Sequence, residues 1–357
     1  MSLDLDTMPV LAPASGTSQP PYPLHASIVD KLDPQYVAFY NKHIINAQQV
    51  HYQPVAASRV GGKLIPGGSN NLPVDLTQDF SISRQETEGP EVRVRCFTPE
   101  GQPPAGGWPV MVYFHGGGWV LGNIDTENSV CTNMCNRARC VVVTTDYRLA
   151  PEDPFPAAVH DSWEALLWTV SKGVQILNLN KDLVAIGGSS AGGNLAAVLT
   201  QKATELLPTL KFRVQLLIVP VTDNTAAVTT NATYKSCQFT AALPAEKMLW
   251  YRNHYLPDQT MWTALEASPL LAPLKTFAKL PPAVILVGEL DVLRWEGEEY
   301  ARKLNAAGVH AKVELMKGMP HPFLAMDGVL DEGKRAITIL CESLKDAFAS
   351  PSADLEQ

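Results

Sequence analysis

The sequence predicts an α/β protein in which a mostly parallel central sheet is flanked by helices and carries a helical cap. Six short apolar runs rich in Val and Ile start near residues 109, 140, 183, 213, 282 and 311. Such runs are typical of strands buried on both faces, and parallel strands need helical crossovers between them. Most of the gaps hold one strand and one helix, while the gap from 213 to 282 also holds an insertion.

The segments before the sheet are predicted in order along the chain. Residues 1–23 are rich in Pro, Ser and Thr, a composition typical of a flexible tail. Residues 24–50 have apolar positions at helical spacing on both sides of Pro34, which predicts a pair of helices. The alternating runs DFSISRQ and EVRVRCF follow a linker rich in Gly and Pro, and they predict two antiparallel edge strands.

The insertion completes the predicted domain organisation. Its middle, TAALPAEKMLWYRNHYL, has a helical and rather apolar pattern. Parallel sheets bind ligands at the carboxyl edge of their strands, and the insertion leaves the sheet at that edge. We therefore expect a helical cap built from residues 24–60 and 225–266, and an α/β domain built from residues 72–224 and 267–357.

Charge and composition exclude several classes of partner. The 357 residues carry a formal net charge of -8, and a surface of that sign repels nucleic acid and anionic membranes. No apolar stretch approaches the roughly 18 residues of a membrane span, and the N-terminus lacks the features of a secretory signal. We therefore expect a cytoplasmic protein without stable membrane insertion. The six cysteines have no CxxC or zinc-ligand spacing, which predicts free buried thiols and no metal. The sequence leaves open whether the chain forms a homodimer.

The stretch VAIGGSSAGGN, residues 184–194, allows three interpretations. A phosphate loop needs a lysine where this chain has a glycine, and the letters GGSSAG do not match the dinucleotide pattern GxGxxG. The third pattern, G-x-S-x-G, is met by Gly188, Ser190 and Gly192. There a sharp strand-to-helix turn presents the serine as a nucleophile at the sheet edge. A turn of small residues without chemistry is the alternative.

A serine nucleophile needs donors for the oxyanion that forms when it attacks a carbonyl group. The loop YFHGGGWV follows the first parallel strand, and its glycines allow backbone N–H groups to turn inward. The predicted oxyanion hole consists of the N–H groups of Gly117, Gly118 and Ala191, with His115 and Gly116 in the same motif loop. The alternative is a glycine-rich loop beside a structural histidine.

The orienting acid and the base should follow the serine in that order, which is the order of this strand–turn–helix class. Of the three later histidines, His254 lies in the insertion and His310 starts the last strand. His321 lies just past the carboxyl end of that strand and is the predicted base. Asp291, after the preceding strand, is the predicted acid. Glu289 is the runner-up, and a helix N-cap is the alternative role for Asp291.

These motifs together resemble the hormone-sensitive-lipase-like carboxylesterases of the α/β-hydrolase fold, from about residue 80 to 345. The resemblance rests on HGGGW, DYRLAPEDPFPAAVHD, GGSSAGGN, DVLRWEG and HPF. It implies an α/β-hydrolase fold without cofactor, whose Ser190, Asp291 and His321 form a triad that hydrolyses a small-molecule ester through an acyl-enzyme.

The sequence departs from that family at a few positions near the predicted site. Ser189 stands where Asp or Thr is usual, Val292 where Pro is usual, and Trp295 where a second acidic residue is common. The letters HPF also replace the usual HGF. None of these changes removes a predicted catalytic group, but they leave the orientation of Asp291 and the shape of the pocket open.

Aromatic residues predict the substrate class. Trp250, Tyr251 and Tyr255 lie in the apolar insertion and Trp119 ends HGGGW, so we expect all four to line the pocket. The predicted substrate is then a small hydrophobic ester with a short or medium acyl chain. An acyltransferase or a specialised deacetylase of a natural product would share the triad. A non-catalytic ligand receptor is the second alternative, and an intact His321 counts against it.

Overall fold

The computed structural model describes residues 20–60 and 67–350, so most of the predicted tail over residues 1–23 lies outside the described residues. Eight strands in this part of the chain form one sheet. They are β1 (Leu76–Ile82), β2 (Val92–Thr98), β3 (Trp108–Phe114), β4 (Val141–Asp146), β5 (Leu179–Ser189), β6 (Phe212–Ile218), β7 (Ala283–Gly288) and β8 (Ala311–Met316).

The order of the strands across the sheet is β1-β2-β4-β3-β5-β6-β7-β8. The pairs β1–β2 and β2–β4 are antiparallel, and all neighbouring pairs from β4 to β8 are parallel. The six predicted parallel strands and the antiparallel pair at one edge are therefore confirmed. The apolar runs were recognisable because the inner strands are covered on both faces; all seven residues of β3 are buried.

Helices connect the strands and cover both faces of the sheet. The described α-helices are α1 (Pro34–His43), α2 (Val55–Ser58), α3 (Asn128–Ala138), α4 (Ala157–Val170), α5 (Lys172–Ile176), α6 (Ala191–Leu206), α7 (Ala232–Ser236), α8 (Ala245–Tyr255), α9 (Leu274–Phe277), α10 (Arg294–Ala306) and α11 (Asp331–Ala349). The described 3-10 helices are Val29–Lys31, Val50–Tyr52, Gln259–Thr263, Pro269–Leu271 and Phe323–Met326.

Apolar clusters on the two faces of the sheet hold the layers together. Met111 and Tyr113 of β3 join the cluster that contains α3 and α11. The alternate residues Val112 and Phe114 join the cluster that contains α4, α6 and α10. Successive side chains of a strand point to opposite faces, so one buried strand supplies both layers of the core.

The N-terminal segment differs from its prediction. Instead of a pair of helices around Pro34, it has a single 3-10 turn at Val29–Lys31 and then α1, which starts at Pro34 itself. The side chain of Asp33 caps α1 by accepting the N–H of Gln35 at 2.7 Å. Proline at the first helical position favours a helix start, and it disfavours helical geometry in the residue before it, so α1 begins at Pro34 and does not extend into the preceding residues.

Candidate active site

Ser190 lies in the turn between β5 and α6. Its backbone φ of 55° and ψ of -114° are rare for a residue with a side chain. A Cβ on Gly188 would lie 2.5 Å from the carbonyl oxygen of Gly192, and one on Gly192 would lie 1.9 Å from that of Phe114. Both positions therefore require glycine. The tight turn places Ser190 at the carboxyl end of β5 and at the N-terminus of α6.

The structure brings Ser190, His321 and Asp291 together from three loops that are distant in sequence. His321 Nε2 lies 2.9 Å from Ser190 Oγ, and His321 Nδ1 lies 2.8 Å from Asp291 Oδ2. Asp291 is fully buried, and its Oδ1 accepts the N–H of Leu293 at 3.0 Å. Because a carboxylate accepts, His321 Nδ1 donates to it, and Nε2 is left free to accept the proton of the serine hydroxyl.

The other candidates for base and acid lie elsewhere. Glu289 Oε2 accepts the N–H of Gly318 at 2.8 Å, a bond within the loops that follow β7 and β8. His254 belongs to α8, where its ring packs against Trp250 with centroids 4.5 Å apart. His310 is exposed immediately before β8. Among these residues, the geometry connects only His321 and Asp291 to the serine at the turn.

The glycine loop after β3 lies beside this turn. Gly117 and Gly118 have φ values of +128° and +62°, and a Cβ on Gly118 would lie 2.3 Å from the ring of Tyr251. The N–H groups of Gly117, Gly118 and Ala191 donate to no acceptor among the residues that the structure describes. Ala191 is the first residue of α6, where the N–H has no partner inside the helix. These three donors are therefore free to bind an oxygen atom of a ligand.

His115, which precedes the three glycines, is part of the core. Its Nδ1 donates to the carbonyl oxygen of Gly116 at 2.7 Å, and its ring stacks on Tyr147 with centroids 4.3 Å apart. Burial lowers the pKa of His115 to about 4, so the ring is neutral at neutral pH. His115 thus shapes the glycine loop and does not exchange protons near pH 7.

Glu127 is a buried carboxylate beside the site, and its role there was not predicted from the sequence. It accepts the hydroxyl of Ser189 at 2.6 Å, the hydroxyl of Tyr113 at 3.0 Å and the N–H of Gly116 at 3.3 Å. Burial raises the pKa of Glu127 above its usual range. Glu127 thereby ties the residue before the nucleophile to the glycine loop. Its one sequence signal was an acidic residue directly before α3, which predicts only a favourable charge at a helix start.

A cavity of about 420 Å³ opens onto Ser190 and His321. Its walls come from the glycine loop, from the N-terminal segment and from the insertion. Tyr36 of α1 and Lys247 and Tyr251 of α8 are among the lining residues. The two segments of the predicted cap also touch each other, because the hydroxyl of Tyr52 donates to Glu246 at 3.0 Å.

Only one of the four aromatic residues predicted to line the pocket is on the wall of this cavity. Tyr251 lines it, whereas Trp119, Trp250 and Tyr255 do not. Trp119 is fully buried and stacks on Tyr255 with centroids 4.3 Å apart. Trp250 packs edge-on against Tyr251 at 5.1 Å. The rings of Trp119 and Tyr255 pack against each other in the core, and the sequence pattern does not distinguish this position from one on the cavity wall.

Residues 20–60 and 67–350 contain no cluster of His, Cys, Asp and Glu side chains that could hold a metal ion. All six cysteines fall within these ranges and are buried and free. The same ranges contain no helix with the length and apolar character of a membrane span.

The sequence and the fold are similar to those of known hydrolases. Residues 111–325 match the family described as an alpha/beta hydrolase fold. An AB hydrolase superfamily protein of Schizosaccharomyces pombe is 47% identical over 340 residues, which cover 93% of this chain and 99% of the relative. An ethyl acetate hydrolase of Pseudomonas putida is 30% identical over 76% of this chain and 83% of its own length. The crystal structure of a thermostable esterase from Pseudomonas putida superposes with a TM-score of 0.78 at 29% identity, over 90% of this chain and 99% of that one.

Proposed function

The chain belongs to the α/β-hydrolase family and is an esterase, and on that premise we propose that it hydrolyses small hydrophobic esters through Ser190, His321 and Asp291. The observation that carries the proposal is the hydrogen-bonded path from Ser190 Oγ through His321 to Asp291, with its serine end on the cavity. In this assignment Ser190 is the nucleophile, His321 the general base and Asp291 the group that orients it.

The acylation step follows from these contacts. His321 Nε2 takes the hydroxyl proton of Ser190 as Oγ attacks the ester carbonyl carbon. Asp291 keeps the imidazole in the required tautomer and stabilises the cation that forms. The N–H groups of Gly117, Gly118 and Ala191 hold the oxyanion of the tetrahedral intermediate. The intermediate collapses, the carbon–oxygen bond to the alcohol breaks, and the alcohol leaves with the proton from His321.

Deacylation reuses the same groups. A water molecule gives a proton to His321 Nε2 and attacks the carbonyl carbon of the acyl-enzyme. The oxyanion is held by the same three N–H groups, and the second intermediate collapses to the carboxylic acid. Ser190 leaves with the proton held by His321, so the enzyme returns to its starting state without a cofactor.

The cavity volume of about 420 Å³ supports a limit on substrate size. We assign its cap to residues 24–60 and 225–266, which are anchored at two places in the fold, so the pocket stays bounded. Each acyl methylene that fits adds about 0.8 kcal/mol of apolar burial, or roughly fourfold in kcat/KM. Carbons that reach the wall add nothing or clash. We therefore expect an optimum between about C4 and C8 and little action on emulsified long-chain triglyceride.

The nucleophile is tested by substitution and by labelling. Ser190→Ala should lower turnover of p-nitrophenyl butyrate by several orders of magnitude, while the neighbouring Ser189→Ala retains most of it. An organophosphate should label Ser190. Label on Ser189, or turnover close to that of the wild type without Ser190, would contradict the assignment.

The size limit is tested by a panel of p-nitrophenyl esters from acetate to palmitate, together with emulsified triolein. Activity should climb over the first few carbons and fall beyond the optimum. If palmitate or triolein is the best substrate, with a jump in rate above its solubility limit, the pocket is not bounded and the protein is an interfacial lipase.

A further inference from the structure

Lys247 is a cation on the wall of the cavity that contains Ser190. It lies in the first turn of α8, next to the apolar wall residues Leu243 and Met248. Its Nζ donates to the carbonyl oxygen of Ala242 at 2.8 Å. An ammonium has three donors, so two of them have no acceptor within the described ranges.

No carboxylate of the described chain compensates this charge. Lys247 makes no ion pair with any Asp or Glu in residues 20–60 and 67–350. Glu127 is the sole carboxylate among the described wall residues, and it accepts hydrogen bonds from three other groups. Burial lowers the pKa of Lys247 to about 8, so the side chain is still mostly charged at neutral pH. An uncompensated charge beside an apolar wall is costly, and a bound anion would lower that cost.

One further side chain on this wall fits an acceptor-bearing ligand. The hydroxyl of Tyr36, a fully buried residue on the same cavity wall, has no hydrogen-bond partner in the described part of the chain. Both ring nitrogens of the nearby His51 are buried and also lack a partner among the described residues, but His51 does not line the cavity. Burial, and after it the charge of Lys247, lower the pKa of His51 to about 4, so this ring is neutral and offers one N–H donor. The cavity wall thus offers the ammonium of Lys247 and the hydroxyl of Tyr36 as donors, and its one described carboxylate, Glu127, is bonded to other groups.

We infer that Lys247 selects esters that carry a carboxylate away from the ester bond, such as half-esters of short dicarboxylic acids. The inference rests on the proposed function, and it narrows the substrate class. An ester of this kind would place its carbonyl group at Ser190 and its carboxylate at Lys247 in the same cavity. The carboxylate can belong to the acyl part or to the alcohol part of the substrate, and the two cases are distinguished below.

The test compares matched esters on the full-length enzyme. For the acyl side, monoethyl succinate, glutarate and adipate are compared with neutral esters of the same shape, for example monoethyl glutarate with ethyl 5-methylhexanoate. For the alcohol side, 4-acetoxybutyrate is compared with 4-methylpentyl acetate, in which an isopropyl group replaces the carboxylate. In one of these series the wild type should favour the anionic member about tenfold to a hundredfold in kcat/KM, the usual range for a charged hydrogen bond.

Variants then assign the preference to Lys247. Lys247→Met should abolish the preference and Lys247→Arg should restore much of it, while Lys275→Met, at an exposed position on α9, should not alter it. The ratio for two substrates of one preparation does not depend on the folded fraction. Equal kcat/KM values for both members in the wild type, or an unchanged ratio in Lys247→Met, overturn the inference and leave the esterase assignment intact.

A binding measurement separates the two proposals. One of the two anionic esters, monoethyl glutarate on the acyl side or 4-acetoxybutyrate on the alcohol side, should bind to the Ser190→Ala protein in calorimetry and bind at least tenfold more weakly when Lys247→Met is added. If this binding is seen but the wild type hydrolyses no ester, the proposed function fails and the carboxylate site stands. If no such binding is seen while neutral esters are hydrolysed, the carboxylate site is refuted.

Discussion

Asp291→Asn tests the proposed acid, and the structure predicts how the new amide would turn. The N–H of Leu293 donates to Asp291 Oδ1 at 3.0 Å, so the amide oxygen of Asn should occupy that position. The NH₂ group then faces His321 Nδ1, where Asp291 Oδ2 now lies at 2.8 Å. Because NH₂ donates, Nδ1 must accept, and the ring proton moves to Nε2. In that tautomer His321 cannot take the proton of Ser190.

The expected loss has two parts. The base is in the wrong tautomer, and the attraction between carboxylate and imidazolium across 2.8 Å is gone when the transition state forms. In serine hydrolase triads, replacing this carboxylate by its amide costs about 10⁴-fold in kcat. That corresponds to about 5 kcal/mol of transition-state stabilisation. Asp and Asn have nearly the same shape, so the fold should persist.

The assay is kcat for p-nitrophenyl butyrate, with Glu289→Gln as the matched control. Glu289 is also a carboxylate at the end of β7, but it accepts the N–H of Gly318, and an amide oxygen can keep that bond. The control should therefore stay within a few-fold of the wild type. If Asp291→Asn retains more than about a tenth of the wild-type kcat, or if Glu289→Gln loses as much, then Asp291 is not the orienting acid.

Three further predictions concern the surroundings of the site. Gly118→Ala should lower kcat about a hundredfold or more, because the new Cβ would lie 2.3 Å from the ring of Tyr251 and displace an oxyanion donor. The control is Gly308→Ala, which also has positive φ but has no atom of the described residues beyond its own chain neighbours within 4 Å of the new Cβ, and it should keep the kcat of the wild type. Glu127→Ala leaves three buried donors unsatisfied and should lower the free energy of unfolding, measured in urea, by about 3–5 kcal/mol. A loss below about 0.5 kcal/mol, which is typical of a surface substitution, would show that Glu127 does not hold Ser189 and the glycine loop together. His51 and His115 have folded-state pKa values of about 4, below the unfolded value near 6.5, so stability should be full above pH 6.5 and fall towards pH 4. The lowered pKa of His115 should contribute about 3 kcal/mol to this loss of unfolding free energy. A urea midpoint that does not change between pH 6.5 and pH 4 would contradict the prediction.

The sheet and the order of the site residues could be predicted because their signals are local. Strands buried on both faces must be largely apolar, so the inner strands β3 to β7 stand out as apolar runs, while the edge strand β8 is partly exposed. The turn at Ser190 admits only glycine at positions 188 and 192, so the five-residue pattern G-x-S-x-G predicts its geometry. His321 was selected by elimination, because it alone of the later histidines follows the end of a strand.

The N-terminal segment shows where local signals mislead. Helical spacing on both sides of Pro34 predicted two helices, but the position of the proline made it the start of one helix, and the preceding residues form only a 3-10 turn. Spacing reports which face is apolar, and it does not report whether a short segment gains enough contacts to become a helix.

The sequence by itself determined the α/β architecture, the glycines of the turn at Ser190 and of the loop after β3, and the order of the serine, the acid and the histidine along the chain. Only the tertiary structure decided what surrounds them. Glu127 and Ser189 are 62 positions apart and meet through one hydrogen bond. Trp119 stacks on Tyr255 in the core and does not line the cavity, whereas Lys247 lines it from a helix that the sequence indicates only as rather apolar. Turns and strands depend on neighbours along the chain, whereas the wall of a cavity depends on contacts between distant segments, and those are settled only when the whole core packs.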